Sequence, residues 1–262
     1  MKQRIVTAVI AGAIFLPFVF FGGSLFVLLA YFLAAVALYE LLKMRDIELF
    51  TVPGILTLAL LWIFLLPFPS QEIIGGINYS KIDLGLLGIL LFLTYTVATK
   101  NRFTFEDAAF SILVALYVGM GFYYFIVARD AGTTYIFYAL FIIWATDSGA
   151  YFIGRAYGKN KLWPEISPNK TIEGFFGGIF SALIVASLFA AFSEIDNSLW
   201  QFLIITIFLS VFGQIGDLVE SALKRHYHVK DSGNILPGHG GILDRFDSLL
   251  FVLPMMHFFH LI

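Results

Sequence analysis

Apolar positions in this chain come in long blocks, neither alternating nor confined to narrow stripes. Runs rich in Leu, Ile, Phe, Val and Ala cover 5–21, 24–42, 52–67, 84–99, 107–128, 134–155, 173–193, 199–223 and 246–262. A helix needs about 20 mostly apolar residues to cross the hydrocarbon of a bilayer, with a lower limit near 17. The blocks therefore predict an all-α, polytopic integral membrane protein of about nine transmembrane helices, with 52–67 and 84–99 close to or under that limit. A membrane β-barrel would show alternating segments of roughly ten residues, which are absent. The opening MKQRIVTAVIAGAIFLPFVFF has the basic start and apolar core of a signal peptide. No polar mature segment follows it, and the apolar run passes its AGA, so it reads as an uncleaved first span.

The polar positions between blocks set the orientation. With the N-terminus cytoplasmic and sides alternating after each span, one side carries Lys2, Arg4, Lys43, Arg45, Lys100, Arg102, Arg155, Lys159, Lys161, Lys170, Lys224, Arg225, Lys230 and Arg245. The other carries Lys81 and Arg129. Lys and Arg collect on the cytoplasmic side of membrane proteins, so the asymmetry predicts an N-terminus inside and a C-terminus outside.

Composition agrees: 60% of residues are hydrophobic and 13% charged, with a mean hydropathy of +0.88. Soluble domains are about a quarter charged. Without cysteine, disulfides and thiolate metal sites are excluded, and any metal must use oxygen or imidazole ligands. A net charge of −2 and the lack of a basic tract argue against a nucleic-acid partner. No internal repeat or long linker is apparent. Residues 1–130 read as a membrane scaffold of about five helices. Residues 131–262 read as a catalytic membrane region of about four, with cytoplasmic loops 156–172 and 224–245.

The unusual residues lie in that second region. Asp147 sits inside a span, where a carboxylate is costly and normally faces a bundle interior or a wet cavity. Asp147, Tyr151 and Arg155 recur at i, i+4 and i+8, giving one polar face, while Gly149, Ala150, Gly154 and Gly158 allow close helix approach. In SPNKTIEGFFGG, Ser167 is a candidate N-cap with Pro168 at the first helical position, and Thr171 is a competing cap. Either choice puts free backbone N–H groups beside Asn169, Lys170 and Thr171, a combination suited to phosphate. Ordinary capping would explain the same residues.

Charge concentrates again between 217 and 248, which hold nine of the 34 charged residues. Asp217, Ser221 and Lys224 or Arg225 share a helical face, with Glu220 close to it. GNILPGHGG reads as a flexible loop whose glycines admit close backbone approach to a ligand, with His239 exposed in it. LDRFDS places Asp244, Asp247 and Ser248 along one side of the last helix. Asp217 and Asp244 can converge as hard oxygen ligands for Mg²⁺, which binds few carboxylates and relies on substrate phosphates and water. Lys224, Arg225, Lys230 and Arg245 can neutralise phosphate. A metal clamp, a basic cradle and a glycine loop are the working parts of phosphoryl or nucleotidyl transfer. A salt-bridge network steadying helix ends is the plainer alternative. Glu40 and Glu173 need no more than capping or interface roles, and His226, His228, His257 and His260 read as interface residues.

SALKRHYHVKDSGNILPGHGGILDRFDS, residues 221–248, closely resembles the signature of the phosphatidate cytidylyltransferases, or CDP-diacylglycerol synthases. That pattern is matched by Ser221, Lys224, Arg225, Lys230, Asp231, Pro237, His239, Gly240, Gly241, Asp244, Arg245 and Asp247. The stretch 144–178 is similar to a second familiar segment through Trp144, Asp147, Ser167, Pro168, Lys170, Thr171, Glu173 and Gly174. Asn169 stands where a second lysine is common. The resemblance covers roughly a quarter of the chain. It implies a Mg²⁺-dependent reaction of CTP with phosphatidate to give CDP-diacylglycerol and pyrophosphate at the inner (plasma) membrane, with a site facing the cytoplasm.

On that resemblance, Asp217 and Asp244 hold the metal, and Asp147 ligates a second cation or positions a basic residue. Lys170, Lys224, Arg225 and Lys230 offset phosphate charge. Asp231, His239, Arg245 and Asp247 join the catalytic set, while Ser167, Asn169, Thr171, Ser221, Gly240 and Gly241 contribute to substrate binding. A homodimer follows from the resemblance alone. The rivals are another CTP-dependent lipid enzyme (a polyprenol kinase or a cytidylyltransferase for a different lipid phosphate) and, from another class, an ion-coupled transporter built on intramembrane Asp147 and Asp217.

Overall fold

The computed structural model describes residues 2–67, 79–192 and 198–262. Position 193, the end of the expected span 173–193, lies outside the described residues. Helices are α1 Lys2–Phe21, α2 Gly23–Met44, α3 Val52–Leu65, α4 Lys81–Ala98, α5 Phe105–Ala131, α6 Thr133–Tyr157, α7 Ile172–Phe192, α8 Leu199–His226, α9 Leu243–Phe246 and α10 Leu249–Phe258. Among the described residues, six helices are long and apolar enough to cross a membrane, and Ile5–Phe21, Val52–Leu65 and Leu249–Phe258 are shorter apolar helices. The protein is an all-α membrane protein with one small addition, described below.

The chain forms two compact units: Met1–Val127 with Asp231–Leu243, and Ala128–Lys230 with Asp244–Ile262. The glycine-rich segment of the second expected region thus groups with the first helices. In the first unit α2 supplies much of the core, burying Phe26, Ala30, Ala34, Ala37, Leu38, Leu41 and Leu42. Phe26 tilts against Phe125 of α5 at 4.7 Å between ring centroids. The Arg45 Nε–Asp107 Oδ1 pair, 2.9 Å, ties the end of α2 to the start of α5. Reciprocal capping boxes start α4 and α5: Ser80 with Asp83, and Thr104 with Asp107. Lys81 is 2% exposed; its ammonium donates to the Phe64 carbonyl at 3.2 Å and lies 3.8 Å above the Tyr123 ring. Outward faces stay apolar, with Val9, Leu28, Phe32, Leu86 and Leu90 exposed. In a bilayer those faces meet lipid.

In the second unit, α6 and α7 pack backbone to backbone. A Cβ on Gly174 would stand 2.7 Å from the Ala150 carbonyl oxygen, and one on Gly178 would stand 2.8 Å from that of Thr146. Small residues at a crossing let membrane helices meet this closely. Polar bridges add specificity: Tyr138 to Thr206 at 2.7 Å and Thr146 to Ser210 at 2.9 Å link α6 to α8, and Gln214 donates to the Phe175 carbonyl at 3.3 Å.

Two expectations are corrected, and loop 156–172 adds a two-stranded antiparallel hairpin, β1 Lys161–Trp163 and β2 Ser167–Thr171, to the otherwise all-α chain. Pro164 follows Trp163 into the connecting turn, where the Ile166 N–H donates to the Trp163 carbonyl at 3.2 Å, and a proline at that turn position is pre-set for it. Ser167 and Pro168 therefore belong to a strand and start no helix. Thr171 is the cap, its hydroxyl accepting from the Gly174 N–H at 3.1 Å. The last span is also interrupted: α9 stops at Phe246, the Asp247 carboxylate takes the Ser248 N–H at 2.7 Å, and α10 begins at Leu249. Asp244 and Asp247 thus do not share one continuous helix face with Ser248.

Candidate active site

A cavity of about 600 Å³ opens in the second unit. The polar face of α6 contributes Asp147, Tyr151 and Arg155; the hairpin contributes Lys161, Asn169, Lys170 and Thr171; α7 contributes Phe175; and α8 contributes Gln214 and Asp217. The α6–α7 glycine crossing lies in the wall through Gly154 and Gly174, so the hairpin that α7 continues is held close against α6. Arg155 donates to the Tyr151 hydroxyl at 3.2 Å, one turn away on its own helix.

Lys170 Nζ lies 2.5 Å from Asp217 Oδ2, joining the hairpin to α8 across this cavity. Ser221 donates to the other Asp217 oxygen at 3.4 Å. Two carboxylates, Asp147 and Asp217, and three cations, Arg155, Lys161 and Lys170, line one concavity. Such a wall can receive an anion on its basic side and a hard cation on its acidic side.

One to two turns further along α8 a second cluster forms. Lys224 Nζ lies 2.5 Å from Glu220 Oε2 and 2.6 Å from Asp244 Oδ1, with side-chain exposures of 14% for the lysine, 2% for Glu220 and 5% for Asp244. A buried lysine between two carboxylates offsets charges that could not stay buried alone. Arg225, exposed, donates to the Ile166 carbonyl at 3.4 Å and so touches the hairpin turn. Lys230 and Arg245 are exposed, and Asp247 is half-buried.

Of the expected metal ligands, Asp147 and Asp217 line the cavity, while Asp244 is held by Lys224. Among the described residues no three His, Asp or Glu side chains come together to hold a metal ion by themselves. The Asp147–Asp217 pair still fits Mg²⁺, whose coordination is completed by water and substrate phosphate oxygens. Of the expected substrate residues, Asn169, Lys170 and Thr171 reach the cavity, Ser221 supports Asp217, and Ser167 does not line it. Asp231, His239, Gly240 and Gly241 belong to the first unit. His239 is not the exposed loop residue expected, since its Nδ1 is enclosed.

Sequence reasoning missed Tyr151, Arg155 and Lys161 as cavity residues, although the i, i+4, i+8 face already contained the first two. It also left Glu220 aside, although its spacing of four residues before Lys224 signals the ion pair.

Residues 2–262 of the sequence match the model of the cytidylyltransferase family. It is 56% identical over 261 residues to a phosphatidate cytidylyltransferase of Bacillus subtilis, covering 98% of this chain and 97% of the relative. It is 51% identical over 257 residues to the phosphatidate cytidylyltransferase of Staphylococcus haemolyticus and 49% identical over 257 residues to that of Staphylococcus aureus, each covering 98% of both chains.

Proposed function

The chain belongs to the cytidylyltransferase family, and we propose that it transfers the cytidylyl group of CTP to phosphatidate, releasing pyrophosphate and forming CDP-diacylglycerol for phospholipid synthesis. The observation that carries this reading is the Lys170–Asp217 pair inside a cavity whose wall holds a second carboxylate and two further cations.

An oxygen of the phosphatidate phosphate attacks the α-phosphorus of CTP. The new O–P bond forms as the bond from that phosphorus to the β-phosphate oxygen breaks, and pyrophosphate leaves with the electron pair. A phosphomonoester has a second pKa of about 6, so the attacking phosphate is already anionic near neutrality and needs no base. The residues need only bring two anions together and stabilise the charge that shifts to the leaving group. Lys170, Arg155 and Lys161 neutralise triphosphate charge along the cavity. Asp147 and Asp217 would hold Mg²⁺, with Asp244 available if Lys224 moves to a phosphate. When bound, Mg²⁺ neutralises and orients phosphate oxygens as a Lewis acid. A second cation beside Asp147 is compatible with the same wall.

The apolar outer faces fit a membrane-embedded protein, here taken as one of the cell membrane, and the basic loops favour nine spans with the N-terminus and the site on the cytoplasmic side. Phosphatidate then presents its phosphate at the headgroup plane, and CTP arrives from water. Residues 1–130 serve as scaffold and 131–262 carry most of the chemistry, in a protein that works as a homodimer.

The test uses purified protein in mixed micelles with phosphatidate, Mg²⁺ and CTP labelled at the α-phosphate. Label should enter the lipid phase with release of pyrophosphate, and it should fail to do so in Asp217→Asn. Release of CDP with a lipid alcohol, without lipid labelling, would replace this reading by a CTP-dependent kinase.

A further inference from the structure

The segment 231–243, whose GNILPGHGG stretch (233–241) reads from sequence as a flexible loop, is held at both ends by one side chain of the second helix. Glu40 is 1% exposed. One of its oxygens accepts the Ile242 N–H at 2.9 Å; the other accepts the Leu243 N–H at 2.9 Å and the Ser232 hydroxyl at 3.0 Å. These donors lie 192 to 203 residues away in sequence and belong to the same compact unit as Glu40.

The glycines explain how a carboxylate fits there. A Cβ on Gly233 would lie 2.5 Å from Glu40 Oε1 and 2.8 Å from its Cδ, and one on Gly241 would strike both Glu40 oxygens and the Ser232 hydroxyl. The tip is closed on itself, Leu236 donating to the Gly240 carbonyl at 3.0 Å and His239 to that of Leu236 at 2.8 Å. Thr7 of α1 donates to the Pro237 carbonyl at 3.0 Å.

We propose that Glu40 is a positioning residue for the transfer reaction: its carboxylate clamps the two ends of the glycine segment, and so sets where the chain leaves Lys230 and enters Asp244. The proposal rests on the function read above for Lys230, Asp231 and Asp244. The clamped residues are immediate chain neighbours of that set: Leu243 precedes Asp244, and Ser232 follows Asp231. A hydrogen bond to a charged acceptor is stronger than one between neutral groups, so losing three at once leaves the segment in its working arrangement only part of the time.

Two readouts on Glu40→Ala, Glu40→Gln and the parent protein test this. The first needs no activity: limited trypsin digestion, comparing cleavage after Lys230, which borders the clamped segment, with cleavage after Lys159 and Lys161, exposed residues of the same unit that lie far from that segment in sequence. Cleavage after Lys230 should accelerate at least about tenfold in Glu40→Ala while cleavage after Lys159 and Lys161 keeps its rate. The second is α-labelled CTP turnover on monodisperse protein. There kcat should fall at least about tenfold in Glu40→Ala with KM for CTP little changed. Glu40→Gln, equal in size and still an acceptor, should fall between parent and Glu40→Ala in both readouts.

An unchanged ratio of the cleavage rates in both variants overturns the clamp. Faster cleavage after Lys230 with undiminished kcat overturns the positioning role. Should Glu40→Ala lose its fold, all three sites accelerate together, and Glu40→Gln then decides on the same criteria. A parent protein without transferase activity would defeat the functional reading, while the cleavage ratio would still report on the clamp.

Discussion

Lys170, on a hairpin strand, and Asp217, on α8, meet at 2.5 Å across the cavity, while a second lysine, Lys224, is shared at 2.5 and 2.6 Å between Glu220 and Asp244. In each case a lysine occupies the space beside a carboxylate that a metal could share. The cavity pair is partly solvated and free to exchange partners with a phosphate, whereas the Lys224 cluster is largely enclosed.

Asp217→Asn should lower kcat by about a hundredfold or more, since a group acting on transferring charge contributes on that scale. Lys170→Met should raise KM for CTP by about tenfold and also lower kcat, because Asp217 then faces the triphosphate uncompensated. Initial rates over a CTP series at fixed phosphatidate separate the two. A normal rate in Asp217→Asn would remove that carboxylate from the chemistry.

Chelating divalent cations should stop turnover in the parent protein, and added Mg²⁺ should restore it. In Asp147→Asn more Mg²⁺ should be needed for half-maximal rate, because the wall then offers one carboxylate fewer. A Mg²⁺ titration of both proteins makes the comparison, and identical curves would take Asp147 out of the cation site.

Lys224→Met leaves Glu220 and Asp244 enclosed without their cation, a change that costs about 3–5 kcal/mol when a buried pair is broken. Adding Glu220→Gln should recover part of the loss. Thermal unfolding in detergent would show this as a non-additive double-mutant cycle, and additive shifts would mean that the three groups are not coupled.

The start of α7 offers a direct contrast. Thr171→Ala removes its cap and should cost about 1 kcal/mol, whereas Ser167→Ala, in the strand, should leave thermal stability nearly unchanged. Equal effects would contradict the hairpin assignment.

The α6–α7 crossing gives the last comparison. Gly178→Ala pushes a methyl against the Thr146 carbonyl and should destabilise by about 1–3 kcal/mol, while Gly12→Ala on α1 meets nothing within 4 Å and should not. Melting temperatures of the two variants, side by side, check it.

The long helices were legible because lipid demands apolar length, and that demand leaves an unbroken trace in sequence. Their ends were less so. The α10 break depends on the Asp247 side chain bonding the next N–H, and the hairpin depends on a turn built around Pro164; both are local polar choices that block hydropathy does not register. The acids and bases of the site stood out because each is rare in so apolar a chain. Which base meets which acid did not, since Lys170 reaches a carboxylate 47 positions away and Lys224 reaches one 20 positions away. Glu40 was passed over for the same reason: nothing near it in sequence shows that its donors lie at the far end of the chain.

That separation has a consequence in time. Chains are made at roughly 5–20 residues per second, so Glu40 leaves the ribosome roughly 10–40 seconds before Ser232, Ile242 and Leu243 do. The second helix therefore enters the membrane with an acid whose three loop donors do not yet exist. Until about the last eighth of the chain arrives, that carboxylate must be accommodated by water, headgroups or other contacts. The closing of the clamp is among the final events of assembly, and a truncated chain lacking the segment never receives it.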